Sequence, residues 1–330
     1  MLKKVIFLAG VLLSTAPVQA QNYPTRDIQG TIMWGAGGAT DNLARVLAPA
    51  VEADLGQKIV LVNRPGGVGA IATQYVHSRP ADGYTILFGA ENPQLHRVLG
   101  LAQLDYKDFY PVMIMGRNVQ VFVVRPDAPW KTLTELVNDI KARPGQIRVG
   151  STGPGGSPAV SLGMLKAATP VEVTPVPFDG EGPGLTALQG GHVDFMPVSL
   201  PAASELLRAG RVRALAVLDK EPVPTLPGVP PITNEFPDLA KFLPWGSFQG
   251  VFVKRDTPDA IKKRLVDAFT KGVANEKVVS FVSSSGMVPM NISGDEADTF
   301  MQRWQSVTSW ILQDTGDAKV SPETLGIPRP

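Results

Sequence analysis

Strand-like and helix-like segments alternate along most of this 330-residue chain, and that alternation limits its fold more than any other feature. It favours sheets of parallel strands with helices packed on their faces. A first set runs from "IQGTIMW" through the helix "DNLARVLAPAVEADLG", closed by Gly56, to "KIVLVNR", the turn "PGGVG", the helix "AIATQYVHS" and the strand "YTILFG". The strands "YPVMIMG" and "VQVFVVRP" follow. A second set comprises "QIRVGS", the helix "AVSLGMLKAA", "VEVTPVPF", the helix "LTALQGG", "HVDFMPV", the helix "PAASELLRAG" and "VRALAVLD". Residues 222–231, "PVPTLPGVPP", hold five prolines and read as an extended connector. Beyond it "WGSFQGVFV" returns the chain to the first unit. The expected organisation is therefore two lobes, 21–122 plus 250–330 and 123–249, a shape suited to closing around a ligand.

Local signals set the helix ends. Thr132 with Glu135, and Ser293 with Glu296, have capping-box spacing. Thr257-Pro258 places a proline at a first helical position. Phe300, Trp304, Val307 and Ile311 share one helical face and predict a core-facing stripe.

Residues 1–20 stand apart. "MLKK" is positive, "VIFLAGVLLSTA" is apolar but too short to span a bilayer, and "VQA" offers a small-residue cleavage site before Gln21. The reading is a cleaved signal peptide and an exported protein, periplasmic in a two-membrane bacterium. The chain lacks cysteine, which excludes a disulfide framework, a thiol nucleophile, a cysteine lipid anchor and a cysteine–zinc site. A net charge of +1 without a basic cluster argues against nucleic-acid binding.

Two strand–loop–helix joints share one design, "WGAGGATD" and "VGSTGPGGSP". Glycines let a ligand approach the backbone, and the helix start that follows offers unpaired N–H groups to an anion. Thr40, Ser151, Thr152 and Ser157 add neutral hydroxyl donors. Tight turns with caps would look the same in either joint alone; two in one exported chain favour ligand binding. The second joint imitates a dinucleotide loop only loosely, because its glycine order is wrong and Pro158 interrupts the helix start. No phosphate-loop lysine and no nucleophile elbow occur. His77, His96 and His192 are scattered and lack metal-ligand spacing. Asp179 and Glu181 could pair for acid–base work, but a turn explains them equally well.

In order along the chain, "WGAGGATD", "NRPGGVGAIATQYV", "ADGYTILFG", "YKDFYPV", "GSTGPGGSP", "VPFDGEGPGLTALQGGHVDF", "AGRVRALAV" and "LPGVPPITNEF" resemble the receptors of tripartite tricarboxylate transporters, the Bug-type periplasmic binding proteins. The resemblance covers nearly all of the mature chain. It implies an α/β, two-lobed fold of the type II periplasmic-binding class, with a ligand cleft between two mixed-sheet domains. It implies capture of a small organic acid and delivery to integral membrane permease subunits, by a monomer without cofactor, metal or catalysis.

The resemblance also implies that the carboxylate sits between the two loop–helix joints, held by backbone amides, hydroxyls and ordered water, without an arginine clamp. Carried over by position, the first loop supplies Gly37, Gly38, Ala39, Thr40 and Asp41. The second supplies Ser151, Thr152, Gly155 and Ser157, and the third Phe178, Gly180 and Glu181. Asp41 is expected to cap its own helix rather than touch an anion. Two departures concern the far end of the ligand. Ala159 and Val160 replace a common Gln-His pair, and Asp179 stands where a basic residue is frequent. Glu91, Asp179 and Glu181, at strand and loop ends, would repel a second carboxylate if they face the cleft rather than solvent. The other end of the ligand is then expected to be neutral or to carry an amine or hydroxyl. Two other functions stay open at the level of sequence: an exported sensory protein for the same solutes, and an exported enzyme on the same lobes.

Overall fold

The computed structural model describes residues 23–36, 39–178 and 181–330. The predicted signal segment, Gly37, Gly38, Asp179 and Gly180 lie outside the described residues. The chain enters through strand β1 (Ile28–Ile32), helix α1 (Ala39–Leu55), β2 (Ile59–Asn63), α2 (Ala70–His77) and β3 (Thr85–Ala90). β1 pairs in parallel with β2 on one side and β3 on the other, as the alternating pattern requires. A 3₁₀ turn at Asn92–Leu95 follows, then β4 (Phe109–Asn118).

A single residue, Val119, separates β4 from β5 (Gln120–Val124), which belongs to a different sheet. That second sheet is completed by α3 (Leu133–Ala142), β6 (Arg148–Ser151), α4 (Ser157–Ala168), β7 (Thr174–Pro177), α5 (Glu181–Gln189), β8 (Phe195–Ser199), α6 (Leu200–Arg208) and β9 (Arg213–Val217). Its order is β7-β6-β8-β5-β9. The proline-rich connector then runs beside β9, where Pro231 makes a parallel bridge to Val217. The chain rejoins the first sheet as β10 (Ser247–Lys254) and ends with α7 (Asp259–Val273), α8 (Glu276–Ser285), β11 (Met287–Ile292) and α9 (Gly294–Asp314). The first sheet has the order β11-β4-β10-β3-β1-β2. Both sheets are mixed. β5 runs antiparallel to β8 and β9, and β10 antiparallel to β3 and β4, because the chain crosses over and comes back. Gln120–Phe122 thus lie in the second sheet and Ser247–Gln249 in the first.

Several local expectations change. Thr132 does cap α3, accepting the Glu135 N–H at 3.1 Å, but the Glu135 carboxylate takes the N–H of Lys131 rather than of Thr132. Ser293 precedes α9 without a side-chain capping bond. Pro258 is the cap of α7, one position before its first residue. Pro158 does not interrupt a helix start; it sits in the first turn of α4, where the missing N–H costs nothing. α5 begins at Glu181, so part of the expected loop "DGEG" is already helical.

The stripe on α9 packs as predicted at Trp304, Val307 and Ile311, all buried, with Phe300 partly covered. It ties both sheets together. Trp304 Nε1 donates to the carbonyl of Gly246 at 2.8 Å, Trp245 Nε1 donates to Thr308 Oγ1 at 2.9 Å, and the two indoles stack at 5.9 Å. Ile311 meets Gly163 of α4, where an added Cβ would stand 2.7 Å from Ile311 Cγ2. Only glycine lets those helices approach so closely.

Candidate functional site

A cavity of ≈ 750 Å³ opens between the two sheets. Its walls come from both sides. Ala39 and Asn42 at the start of α1, with Phe281, Ser284 and Ser285 of α8, face Glu181 and Gly182 at the start of α5 and Ser199, Pro201 and Ser204 around the start of α6. Asn118, the last residue before the chain changes sheet, also lines it. Three helices therefore begin at this space, where a helix leaves its first N–H groups without intrahelical partners; at α6 the N–H groups of Ser199 and Leu200 are already taken by Glu181 Oε1 and the Val119 carbonyl, and Pro201 has none. Their dipoles favour negative charge there.

The joint after β1 is positioned by a buried anchor. Asp41, third in α1 and 2% exposed, accepts from Arg45 Nε at 3.0 Å and from Asn63 Nδ2 at 2.9 Å. The same Asn63 amide nitrogen also reaches the carbonyl of Trp34, so strand β2 pins the loop on both flanks. Asp41 is thus tied to its own helix and to the neighbouring strand. Thr40 is buried beside it.

The second joint, Ser151 to Ser157, does not line the large cavity. Its Gly155 has φ +76°, and an added Cβ would lie 2.6 Å from Leu99 Cδ1. The loop therefore rests on the segment that follows Glu91 in the first unit. Ser151 Oγ accepts the N–H of Gly153 at 3.2 Å, and its carbonyl accepts the N–H of Phe178 at 2.8 Å, which couples the second and third loops. Ser157 opens α4 and its carbonyl accepts from Ser161 Oγ. Thr152 lies between, partly buried. Of the residues carried over by resemblance, Ala39 and Glu181 meet across the cavity, whereas the second loop bridges the two units beside it.

Glu181 is held by Ser199, whose N–H donates to Oε1 at 2.7 Å and whose Oγ donates to Oε2 at 2.5 Å. Burial raises its pKa, and these two bonds act against the shift. Glu91, at the start of the 3₁₀ turn, is 6% exposed. Burial pushes its carboxyl up to about 7; the nearby Glu181 charge adds to the rise, while the backbone N–H groups of Glu91 and Phe248 oppose it. Like charges close together disfavour double ionisation. Glu91 is therefore buried, and Glu181 is tied to Ser199 rather than extended into solvent.

The paired strands leading to these two acids carry a row of polar residues that the sequence analysis did not single out. Gln249 pairs with Ala90 and Gly116, Ser247 pairs with Asn118, and Gln120 pairs with Ser199. Asn118 Nδ2 donates to Ser247 Oγ at 3.2 Å, and Gln120 Nε2 reaches the Asn118 carbonyl at 3.4 Å. The side-chain oxygens of Asn118, Gln120 and Gln249 are buried without a partner among the described residues. In "MGRNVQVFVV" and "GSFQGVFV" the signal was a polar side chain inside an apolar run, but which side it faces depends on register.

Cations in this region are already matched. Arg208, at the cavity rim, pairs with Glu205 at 2.8 Å. Arg117, 9% exposed, pairs with Asp219 at 2.7 Å and donates to the Trp245 carbonyl at 3.1 Å. Among the described residues no group of three or more His, Asp or Glu could hold a metal ion, and no helix is long and apolar enough to cross a membrane. His77 ends α2, His192 is exposed, and His96 is fully buried with Nε2 at 2.8 Å from the Val68 carbonyl.

A two-sheet chain with this cleft invites comparison with known proteins. The model for the tripartite tricarboxylate transporter family receptor matches residues 43–316. The chain belongs to that receptor family. BugT of Bordetella pertussis is 30% identical over 326 residues, covering 95% of this chain and 98% of BugT. Among solved structures, R. palustris Rpa4515 with adipate is 28% identical with a TM-score of 0.80, covering 89% of this receptor and 98% of that chain. MatC from Rhodopseudomonas palustris with bound malate is 28% identical with a TM-score of 0.70, covering 88% and 97%. The receptor shares their two-lobed α/β fold.

Proposed function

We propose that this receptor is exported to the periplasm, captures a small organic acid between its two lobes and hands it to a membrane permease. The observation that carries the reading is the ≈ 750 Å³ cleft on which the N-termini of α1, α5 and α6 converge, with hydroxyls and amides but no unmatched cation along its described walls. Such a site suits a carboxylate held by neutral donors, each bond to the charged group contributing about 1.5–3 kcal/mol. The adipate and malate bound by Rpa4515 and MatC support the ligand class. The lobes are formed by the two sheets, joined at Val119 and through the connector that precedes β10, and they close on the ligand as hinged bodies. The solute leaves chemically unchanged, in keeping with a receptor family; the Ser199 hydroxyl beside the Glu181 carboxylate serves to hold that side chain.

A thermal-shift screen of mono-, di- and tricarboxylates and amino acids tests this. At one hundred times its dissociation constant a ligand adds ~2.7 kcal/mol of stability. At least one acid is expected to raise the melting temperature and to be recovered unchanged by mass spectrometry. A panel without any stabilising acid, or a ligand converted during incubation, overturns the reading.

A further inference from the structure

Outside the cleft, one face of the first unit carries apolar side chains and positive charge that the chain itself does not use. β2 is the last strand of its sheet, and no strand among the described residues pairs with its outer side. The Ile28 N–H donates to the Lys58 carbonyl and the Arg64 N–H to the Ile32 carbonyl, so even-numbered residues of β2 bond inward. Leu61 and Asn63 therefore turn their backbone groups outward, whereas the Ile59 N–H is taken by Glu52 at 2.9 Å. Ile59 and Leu61 pack into the core beneath α1, which points Val60 to the opposite face. There Val60 is 50% exposed, and Gln29, its partner in register, accepts the hydroxyl of Tyr75 from α2 at 2.9 Å. One turn before Tyr75, Ile71 is 53% exposed.

Two cations frame this patch. The guanidiniums of Arg64 and Arg79 lie 3.8 Å and 4.2 Å from the Tyr75 ring centroid. Neither has a carboxylate partner among the described residues, and Arg64 Nε is buried without a hydrogen bond. Carboxylates of the flanking segments are committed elsewhere, Asp41 to Arg45, Glu52 to Lys58 and Asp82 to Arg26. In the loop between β2 and α2, Val68 has φ +53° and ψ +41°, amid Gly66, Gly67 and Gly69. That left-handed conformation suits glycine and strains a β-branched residue. The core does not ask for the branch, since the Val68 side chain is 37% exposed.

We infer that this face is a docking surface for an extended, acidic and apolar segment of a partner protein, which adds a strand to the outer edge of β2. The open edge supplies backbone hydrogen bonds, Val60, Val68 and Ile71 meet the apolar side chains, and Arg64 and Arg79 meet the carboxylates. Strain retained at Val68 places an apolar group where only a partner can cover it. Two unmatched arginines fall short of the basic cluster that an anionic lipid surface needs. The surface also reaches the cleft, because Asn63, next to Arg64, holds both the Trp34 carbonyl and Asp41 at the first joint. The partner that fits this position is the membrane protein taking over the solute, and in that clause the inference rests on the receptor reading.

The test uses the full mature chain and three short capped peptides. One alternates glutamate with valine, one alternates lysine with valine, and one carries prolines through the first pattern, which removes ladder donors. Fluorescence titration is expected to show saturable binding of the glutamate–valine peptide, at least about tenfold tighter than either control. Arg64→Gln combined with Arg79→Gln should weaken it by about tenfold or more, and added salt should weaken it further. Val68→Gly should weaken the peptide while leaving the melting temperature unchanged or higher. A clear fall in that temperature would show that Val68 serves the fold, and overturns its place in the surface. Melting curves establish that the arginine variant is folded. The inference is overturned by an absence of saturable binding, by equal binding of a control peptide, or by binding that survives the arginine variant. Binding of phosphatidylglycerol vesicles in place of the peptide overturns it as well. An acid panel on the same preparations keeps the two readings apart: bound acid without bound peptide leaves the receptor standing, and bound peptide without any bound acid keeps the surface but removes its membrane partner.

Discussion

Asn118 and Ser247 are 129 residues apart in sequence, yet the Asn118 side-chain amide donates to Ser247 Oγ at 3.2 Å. They sit opposite each other on β4 and β10, at the two places where the chain passes between sheets. We propose that rotation of one sheet against the other turns about this pair of strands. The cleft opens directly beside it, with Asn118 in its wall. Small-angle scattering should therefore show compaction when a verified ligand saturates the protein, and an unchanged profile would argue for a rigid receptor.

The contact of α4 with α9 makes a stability prediction. At Gly163 an alanine Cβ would lie 2.7 Å from Ile311 Cγ2 and 3.3 Å from Thr315 Cγ2. Overpacking a buried contact costs about 1–3 kcal/mol, whereas alanine gains about 1 kcal/mol in helix propensity. Gly163→Ala is expected to be neutral to destabilising by up to about 2 kcal/mol in urea titration, despite the better helix former. A clear stabilisation would mean the helices part freely.

The buried pair Arg117–Asp219 makes a second one. Asp219→Ala leaves a guanidinium that is 9% exposed without its carboxylate, keeping the Trp245 carbonyl as its partner among the described residues. Breaking such a pair from one side costs about 3–5 kcal/mol, and replacing both members with apolar residues costs far less. The double variant Arg117→Met with Asp219→Leu should therefore be more stable than Asp219→Ala in the same denaturant series.

Glu91 gives the ligand-free protein a pH signature. Its folded pKa, about 7, lies above the ordinary glutamate value of 4.5, with burial as the first cause and Glu181 adding to it. The folded state holds the proton more tightly, so this stabilising contribution is complete below about pH 4.5 and is lost as pH rises through about 7. Glu91→Gln should remove that loss. The variant is expected to gain stability relative to wild type at pH 8 and not at pH 4, by a few kcal/mol at ~1.4 kcal/mol per pKa unit. Parallel melting curves at the two pH values check the sign.

The carboxylate end is probed by hydroxyls. Thr40, buried in the first turn of α1, and Ser157, first in α4, stand at the two glycine-rich joints. Thr40→Val and Ser157→Ala should each weaken binding of the carboxylate by about ten- to a hundredfold, since a hydrogen bond to charge is worth ~1.5–3 kcal/mol. Because Ser157 lies beside the large cavity and not in its described wall, an effect there would indicate that closure brings the second loop to the ligand. Calorimetry on folded variants reads both.

Much of this fold was legible before the structure. The apolar runs and their glycine and proline punctuation located the strands and most helices, because they are local: β1, α1 and β3 follow from periodicity and a glycine stop at Gly56, φ +72°. The quoted motifs were enough to name the family. The α9 stripe was visible for the same reason, since Trp304, Val307 and Ile311 share a face whatever they pack against. Antiparallel pairing at the crossings was not legible, because direction depends on how the chain leaves the first sheet at Val119 and returns to it as β10. Nor was the polar row. Asn118, Gln120, Ser247 and Gln249 belong to three strands, β4, β5 and the distant β10, and only register sets which face they present. Capping spacing marked Ser293 and Glu296 as a box, but the hydroxyl did not bond there, since a cap depends on the approach of the preceding chain. Residue type and spacing thus determined the elements; tertiary structure decided which of their polar side chains were buried together, because burial and register are properties of segments meeting and not of either segment alone.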